Sequence, residues 1–274
     1  MNHLSTEIPV NEISRRCTRL AAAALVALTL AASASARGAQ KQQHAKKKPA
    51  PAPAAVPFAA GERLHFAAQW NKFVTAATLD VRVIERRDFF GRLAWHFQAL
   101  AHTIDPVRML YTIDDQFDSY TDAVTLDSRQ YESYLREQSK REDMVVPMAT
   151  KPDASRTNLH VYIVLAGTQD PIGLLYVLRA RDWSKDPVAR FPVFDGRRFY
   201  EVEARRETSG MPVTVPAGSF VVTRIALRVF TGGQELTDLK VWLSLAQDPA
   251  RTPVLIEAEA PFGTVRAELT SREQ

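Results

Sequence analysis

Arg63-Leu64-His65-Phe66-Ala67-Ala68-Gln69-Trp70-Asn71 is the stretch on which the fold turns. Leu64, Phe66, Ala68 and Trp70 take every second position, and Arg63, His65, Gln69 and Asn71 fall between them. Side chains of a strand point alternately to opposite faces, so this is a half-buried strand with one apolar and one polar side. Residues 78–86 repeat the pattern with Leu79, Val81 and Val83 inward. Residues 93–103 repeat it again, with Trp95, Phe97, Ala99 and Ala101 opposed to His96, Gln98 and His102. Gly91 sits between these two runs as the turn residue.

Working outward, further strands are predicted at 117–124, 130–138, 158–166, 198–206, 220–230, 239–245, 254–260 and 264–270. Gly232-Gly233 supplies positive-φ positions for a tight connection, and Pro261-Phe262-Gly263 a turn before the last strand. Eleven closely spaced strands without an internal linker predict a single mainly β domain over 58–274. Its large antiparallel sheet would curl into an open barrel or a sandwich. Two short helices interrupt it. Asp105-Pro106-Val107-Arg108-Met109-Leu110-Tyr111 and Asp170-Pro171-Ile172-Gly173-Leu174-Leu175-Tyr176 share one plan, an aspartate N-cap followed by proline at the first helical position. The echo fits a pseudo-repeat, a pair of plugs for the barrel, or ordinary capping grammar.

The first 36 residues read as an export signal. Arg15, Arg16 and Arg19 form a positive region, residues 20–30 a short apolar core, and Ala34-Ser35-Ala36 the small residues of a cleavage site near Ala36. The apolar run is about half of what a membrane span requires, so no transmembrane span is expected in the mature chain. The expected location is the periplasm. Ser14-Arg15-Arg16 also admits the twin-arginine route, although polar Thr18 and Arg19 stand where that signal prefers bulky apolar residues. Cys17 is the only cysteine and lies in the segment to be removed, so the mature chain would contain neither thiol nor disulfide.

Residues 37–57 form a Pro/Lys/Ala-rich linker, in which Lys46-Lys47-Lys48 precedes Pro49, Pro51, Pro53 and Pro57. Proline at alternate positions favours an extended, semi-rigid spacer. The chain's pI of 9.2 comes from this region and the export signal. Residues 1–48 hold eight Lys/Arg and two acids; removing them from 35 basic and 31 acidic residues leaves 27 and 29, a net charge of −2. A nearly neutral domain gives a nucleic-acid partner no electrostatic support.

No dinucleotide fingerprint, Walker loop or metalloprotease motif occurs, and no cofactor is expected. Asp114, Asp115, Asp118 and Asp122 lack the spacing of a calcium loop. His96 and His102 share a strand face but lie ~20 Å apart, too far for one metal ion. Ser219 lacks the flanking glycines of a nucleophile elbow, and Gly196-Arg197-Arg198 is too short to cradle a phosphate. The aromatic residues remain. Trp70, Trp95, Phe97, Tyr111, Tyr176 and Trp242 sit on faces read as inward. A barrel lined by them holds either a packed core or one apolar ligand. Arg108 and Arg179, beside the two helices, would meet an anionic headgroup at the mouth.

Ordered blocks add a resemblance. Gly61-Glu62-Arg63-Leu64 opens the domain, followed by Leu110-Tyr111, Asp114-Asp115 and Asp118-Ser119-Tyr120. Leu174-Leu175-Tyr176-Val177-Leu178-Arg179 comes next, then Phe194-Asp195-Gly196-Arg197 with Tyr200. Val215-Pro216-Ala217-Gly218-Ser219-Phe220 precedes Val241-Trp242-Leu243-Ser244, Arg251-Thr252-Pro253-Val254 and a closing strand at 263–269. Over roughly residues 58–272 this succession resembles a bacterial family of exported proteins known as domain of unknown function 3108. The resemblance implies a β-rich envelope protein of Gram-negative bacteria, similar to open barrels that shelter lipid tails, and assigns no catalytic residues.

The expected function is therefore non-catalytic binding or carrying of an apolar or lipid-like ligand in the cell envelope. Two alternatives stand beside it. One is an envelope scaffold that engages a partner protein through the basic Pro-rich tether. The other is a glycan-acting enzyme that uses Glu201 and Glu203, which share a strand face ~7 Å apart.

Overall fold

The computed structural model describes residues 55–71, 74–152, 160–261 and 263–274. The export signal, Cys17 and the linker as far as residue 54 lie outside the described residues. The first half of the domain contains β1 (Arg63–Trp70), β2 (Val74–Asp88), β3 (Leu93–Thr103), α1 (Val107–Leu110), β4 (Asp114–Asp122), β5 (Ser128–Glu137), β6 (Lys140–Ala149) and β7 (Tyr162–Ile163). The second half contains α2 (Pro171–Ala180), β8 (Val188–Phe194), β9 (Phe199–Val215), β10 (Gly218–Thr231), β11 (Gln234–Glu235), β12 (Lys240–Ala246), β13 (Pro253–Ala260) and β14 (Gly263–Glu273).

All fourteen strands of the described residues belong to one sheet, ordered β7-β6-β5-β4-β3-β2-β1-β14-β13-β12-β10-β9-β8, with β11 beside β10. Pairing is antiparallel except between β6 and β7. The β1–β14 ladder joins the halves: Ala68 opposes Ala267, and Trp70 opposes Val265. The sheet curls, but among the described residues no ladder closes it. Its two ends meet at a seam crossed by Gln169, which donates to Pro192 O and accepts from Phe194 N–H, each at 2.8 Å. Tyr162 packs on Phe194 at 5.1 Å between ring centres, and Arg197 pairs with Glu142. Gly196, at φ +90°, lies so near β6 that a Cβ there would sit 2.5 Å from Val146 Cγ2.

Helix α2 fills the curl. Eight of its ten residues are buried. Asp170 caps it with Oδ1, which accepts from Ile172 N–H and Gly173 N–H at 2.8 Å, while Oδ2 accepts from Ser119 and Ser128 hydroxyls at 2.6 Å. The cap thus also fastens the helix to β4 and β5. Gly173 permits the approach, since a Cβ would stand 2.8 Å from Ser128 Oγ. At the other end Arg251 Nη1 donates to the carbonyls of Arg179, Ala180 and Arg181 at 2.8–3.2 Å, placing a cation on the helix's negative pole.

Several expectations change. Helix α1 has no side-chain cap and no buried residue, so it rests at one end of the curl and plugs nothing. Strands β6 and β8 were not expected. Each contains a proline, Pro147 or Pro192, which argues against a strand when read from the sequence alone, and each lies beside the seam. The strand expected over 158–166 falls partly outside the described residues and is otherwise reduced to β7. Strand β9 extends far beyond 206, and two bulges in its ladder with β10 bend the hairpin until Ala217 N–H reaches Leu269 O at 3.0 Å.

Candidate functional site

The eight residues singled out in the sequence fall into separate places. Trp95, Phe97, Tyr176 and Arg179 come together in the interior. Phe97 stacks on Tyr176 at 3.6 Å between centres, and Phe58 meets Trp95, Phe97 and Tyr176 edge-on at 5.0–5.4 Å. These rings fill the centre of the curl with one another. Such pairs contribute about 0.5–1.5 kcal/mol each beyond area burial. Arg179 lies beneath them, wholly buried, where it donates to both carboxylate oxygens of Glu62 at 2.6 and 3.0 Å and to Ala250 O at 3.1 Å. Its charge is already matched, and it stands at no mouth.

Trp242 sits on the sheet face opposite to buried Leu243 and Leu245, under the Arg224 guanidinium at 5.0 Å. This corrects its inward reading. Arg108 does stand at a mouth, but it forms a two-pronged pair with Asp114 at 2.8 and 2.9 Å, and that contact raises its pKa while lowering that of Asp114. Asp114 also accepts from His102, and Asp118 from His96. The expected acidic row is therefore tied to the neighbouring strand, and among the described residues no metal-binding group forms.

Trp70 and Tyr111 come together with residues the sequence did not reveal. A recess of about 40 Å³ opens at the α1 end of the curl, lined by Ala68, Ala76, Ala77, Val107, Ile113 and Val265 as well as the two rings. Its origin is plain in the register. Ala68 opposes Ala77, and Ala77 opposes Thr103, so three small inner residues stand in a row across β1, β2 and β3. Trp70 borders the row, and its buried Nε1–H has no hydrogen-bond partner among the described residues. Small residues at strand ends beside a tryptophan were the one available signal.

Helix α1 rims this recess and is held by polar contacts rather than packing. Thr103 Oγ1 donates to Tyr111 O and accepts from Ile113 N–H, both at 3.0 Å, and Gln138 Nε2 donates to Leu110 O at 2.8 Å. Met109 and Leu110 are left 76% and 83% exposed. Beneath Tyr111 lie two inward carboxyls, Asp115 and Glu137, exposed by only 1% and 3%. Burial, then the charge of Asp115, pushes Glu137 up to about 7, with a Tyr111 hydrogen bond acting the other way. Burial also raises Asp115, against the Arg136 N–H that it accepts at 2.7 Å.

A family model described as protein of unknown function, DUF3108, matches residues 64–270. The chain belongs to this family. Among solved structures, it is similar to a beta-barrel-like protein of domain of unknown function DUF1849 from Brucella abortus, at 11% identity and a TM-score of 0.46, over 81% of this chain and 99% of that one. A protein from Bacteroides fragilis described as exported, with a YmcC-like fold, matches at 11% identity and a TM-score of 0.37, over 81% and 100%. One from Parabacteroides distasonis described as a lipoprotein matches at 10% and 0.36, over 80% and 99%. No curated protein matches the chain.

Proposed function

We propose that this DUF3108 protein is a non-catalytic binding protein of the periplasm that takes the end of an apolar, lipid-like group into the α1 recess. The observation that carries the reading is the conjunction of an apolar recess with two apolar side chains, Met109 and Leu110, standing in solvent at its rim. Exposed apolar surface beside an apolar hollow gains by covering both, at ~0.8 kcal/mol for each methylene buried. On this reading the ligand would lie at the end of the curl, because α2 and the rings stacked on it occupy the centre. The export signal supports the compartment.

A catalytic role for Glu201 and Glu203 has less support. Arg190 pairs with both, and Arg205 and Arg228 reach Glu203 as well. The Arg190 hydrogen bond lowers the Glu203 pKa, whereas a glycosidase's general acid needs it raised. A scaffold role finds support in Val145, Ile163, Leu165 and Phe199, apolar residues at the seam that are 50–72% exposed. A photo-crosslinker at position 145 or 199 should then capture one envelope protein reproducibly; capturing none would count against it.

Native mass spectrometry of protein released from the periplasm without detergent tests the main reading. We expect an adduct that dissociates as an apolar molecule and disappears in Ala77→Phe, which fills the recess. A bare mass even after incubation with long-chain fatty acids would reject it.

A further inference from the structure

At the end of the curl opposite α1, where α2 terminates, a second cleft of about 260 Å³ opens. Arg206 of β9 points into it from the inner face, because it stands directly opposite Ile225, whose side chain is wholly buried. Thr223 stands opposite inward Leu245 and shares that face. Ser209, Gln247 and Ser184 complete the polar lining.

The charges around the cleft are accounted for, with one exception. Arg181 donates to the carbonyls of Asp186 and Val188, pairs with the Asp186 carboxylate and lies over the Trp183 ring. Arg251 is spread over the last carbonyls of α2. Asp182 is engaged by Ser184 and Lys185, and Asp248 by Thr252 and Arg272. Arg206 alone among these has no side-chain hydrogen bond, ion pair or ring contact with the described residues. Arg206 is half-buried and lines an open cleft, so its guanidinium keeps access to solvent and is available to an anion.

The neighbouring hydroxyls are arranged to help. Gln247 Nε2 donates to Ser209 Oγ at 2.7 Å and to Thr223 Oγ1 at 3.2 Å. Each oxygen therefore has a lone pair occupied, and at most one of the two hydroxyl protons is used in their mutual 3.4 Å contact. A planar guanidinium fork and a free hydroxyl proton thus face one space, approached from β9 and β10. A carboxylate offers two coplanar oxygens, whereas a tetrahedral phosphate offers oxygens in several directions to such donors. The volume is just below the usual small-molecule range, so the phosphate's carrier must be small or extend outward.

We propose that this cleft binds the phosphate group of a small phosphorylated molecule or of a phospholipid headgroup, with Arg206 as its anchor. The site is independent of the apolar recess.

The test uses purified protein expressed from the full chain. Calorimetric titration with inorganic phosphate and with glycerol 3-phosphate is run beside co-sedimentation with phosphatidylcholine vesicles, with and without phosphatidylglycerol. At least one phosphate probe should bind saturably, at least tenfold more weakly to Arg206→Gln and unchanged to Arg92→Gln, which removes an exposed arginine elsewhere. Binding of the soluble probes assigns a small metabolite. Binding only to phosphatidylglycerol vesicles assigns a headgroup. If Arg206→Gln fails to fold, Thr223→Val carries the test, with a loss of about fivefold expected. No binding by the wild-type protein, an unchanged affinity in the cleft variant, or an equal loss in Arg92→Gln would overturn the proposal.

Discussion

Replacing Arg179 by Met removes one partner of an ion pair whose side chains are 0% and 1% exposed. The carboxylate of Glu62 then stays buried, with Arg272 Nη2 at 3.4 Å as its remaining cation. Breaking a buried pair from one side costs about 3–5 kcal/mol, because the surviving charge is left uncompensated. That is roughly a fifth or more of the stability of an ordinary domain. Replacing both partners, in Arg179→Met with Glu62→Leu, removes the stranded charge and substitutes apolar contacts with Phe58 and Tyr176. The double variant should cost no more than the worse single, giving a coupling of about 2–3 kcal/mol. Urea unfolding followed by far-ultraviolet circular dichroism measures all three. A loss below about 1 kcal/mol in Arg179→Met, or strict additivity, would refute the pair as a structural clamp and return Arg179 to the candidates for headgroup contact.

Two further outcomes follow from the interior carboxylates. Glu137 has a folded pKa of about 7 against an ordinary 4.5, so the folded state holds its proton longer. Stability therefore falls as pH rises between those values, by at most about 3 kcal/mol. Glu137→Gln should flatten that slope between pH 5 and pH 8 in thermal unfolding; a slope equal to the wild type's would exclude Glu137 as its source. Asp170→Ala removes the cap of α2 and leaves the Ser119 and Ser128 hydroxyls without their acceptor. It should cost about 2–4 kcal/mol, and limited proteolysis should then cut within 165–185 first. An unchanged cleavage pattern would show that the cap does not hold α2 in place.

Much of the fold was legible where one sheet face is buried and the other wet. Strands β1, β2, β3, β10, β12, β13 and β14 follow the alternation of their residues. Asp170-Pro171 announced α2 through capping chemistry alone. Yet Asp105-Pro106 has the same grammar and opens only a four-residue turn of helix, because nothing packs on α1. Proline and charge hid β6 and β8, whose strand conformation depends on neighbours at the seam. Trp242 was misplaced because Val241-Trp242-Leu243 has apolar residues on both faces, and only packing chooses between them. Arg179 and Glu62 are 117 positions apart, so nothing local could pair them. The recess made by Ala68 and Ala77 was equally hidden, since small residues signal a hollow only once the register that aligns them is known.

An apolar chain that enters the α1 recess would lie against Trp70. The most direct measurement is quenching of tryptophan fluorescence by a bromine-bearing fatty acid, in a variant that retains Trp70 and has Trp95, Trp183 and Trp242 replaced by Phe. Saturable quenching is expected, abolished by Ala77→Phe and by competition with unlabelled fatty acid. Quenching that never saturates, or that persists undiminished with the recess filled, would contradict it.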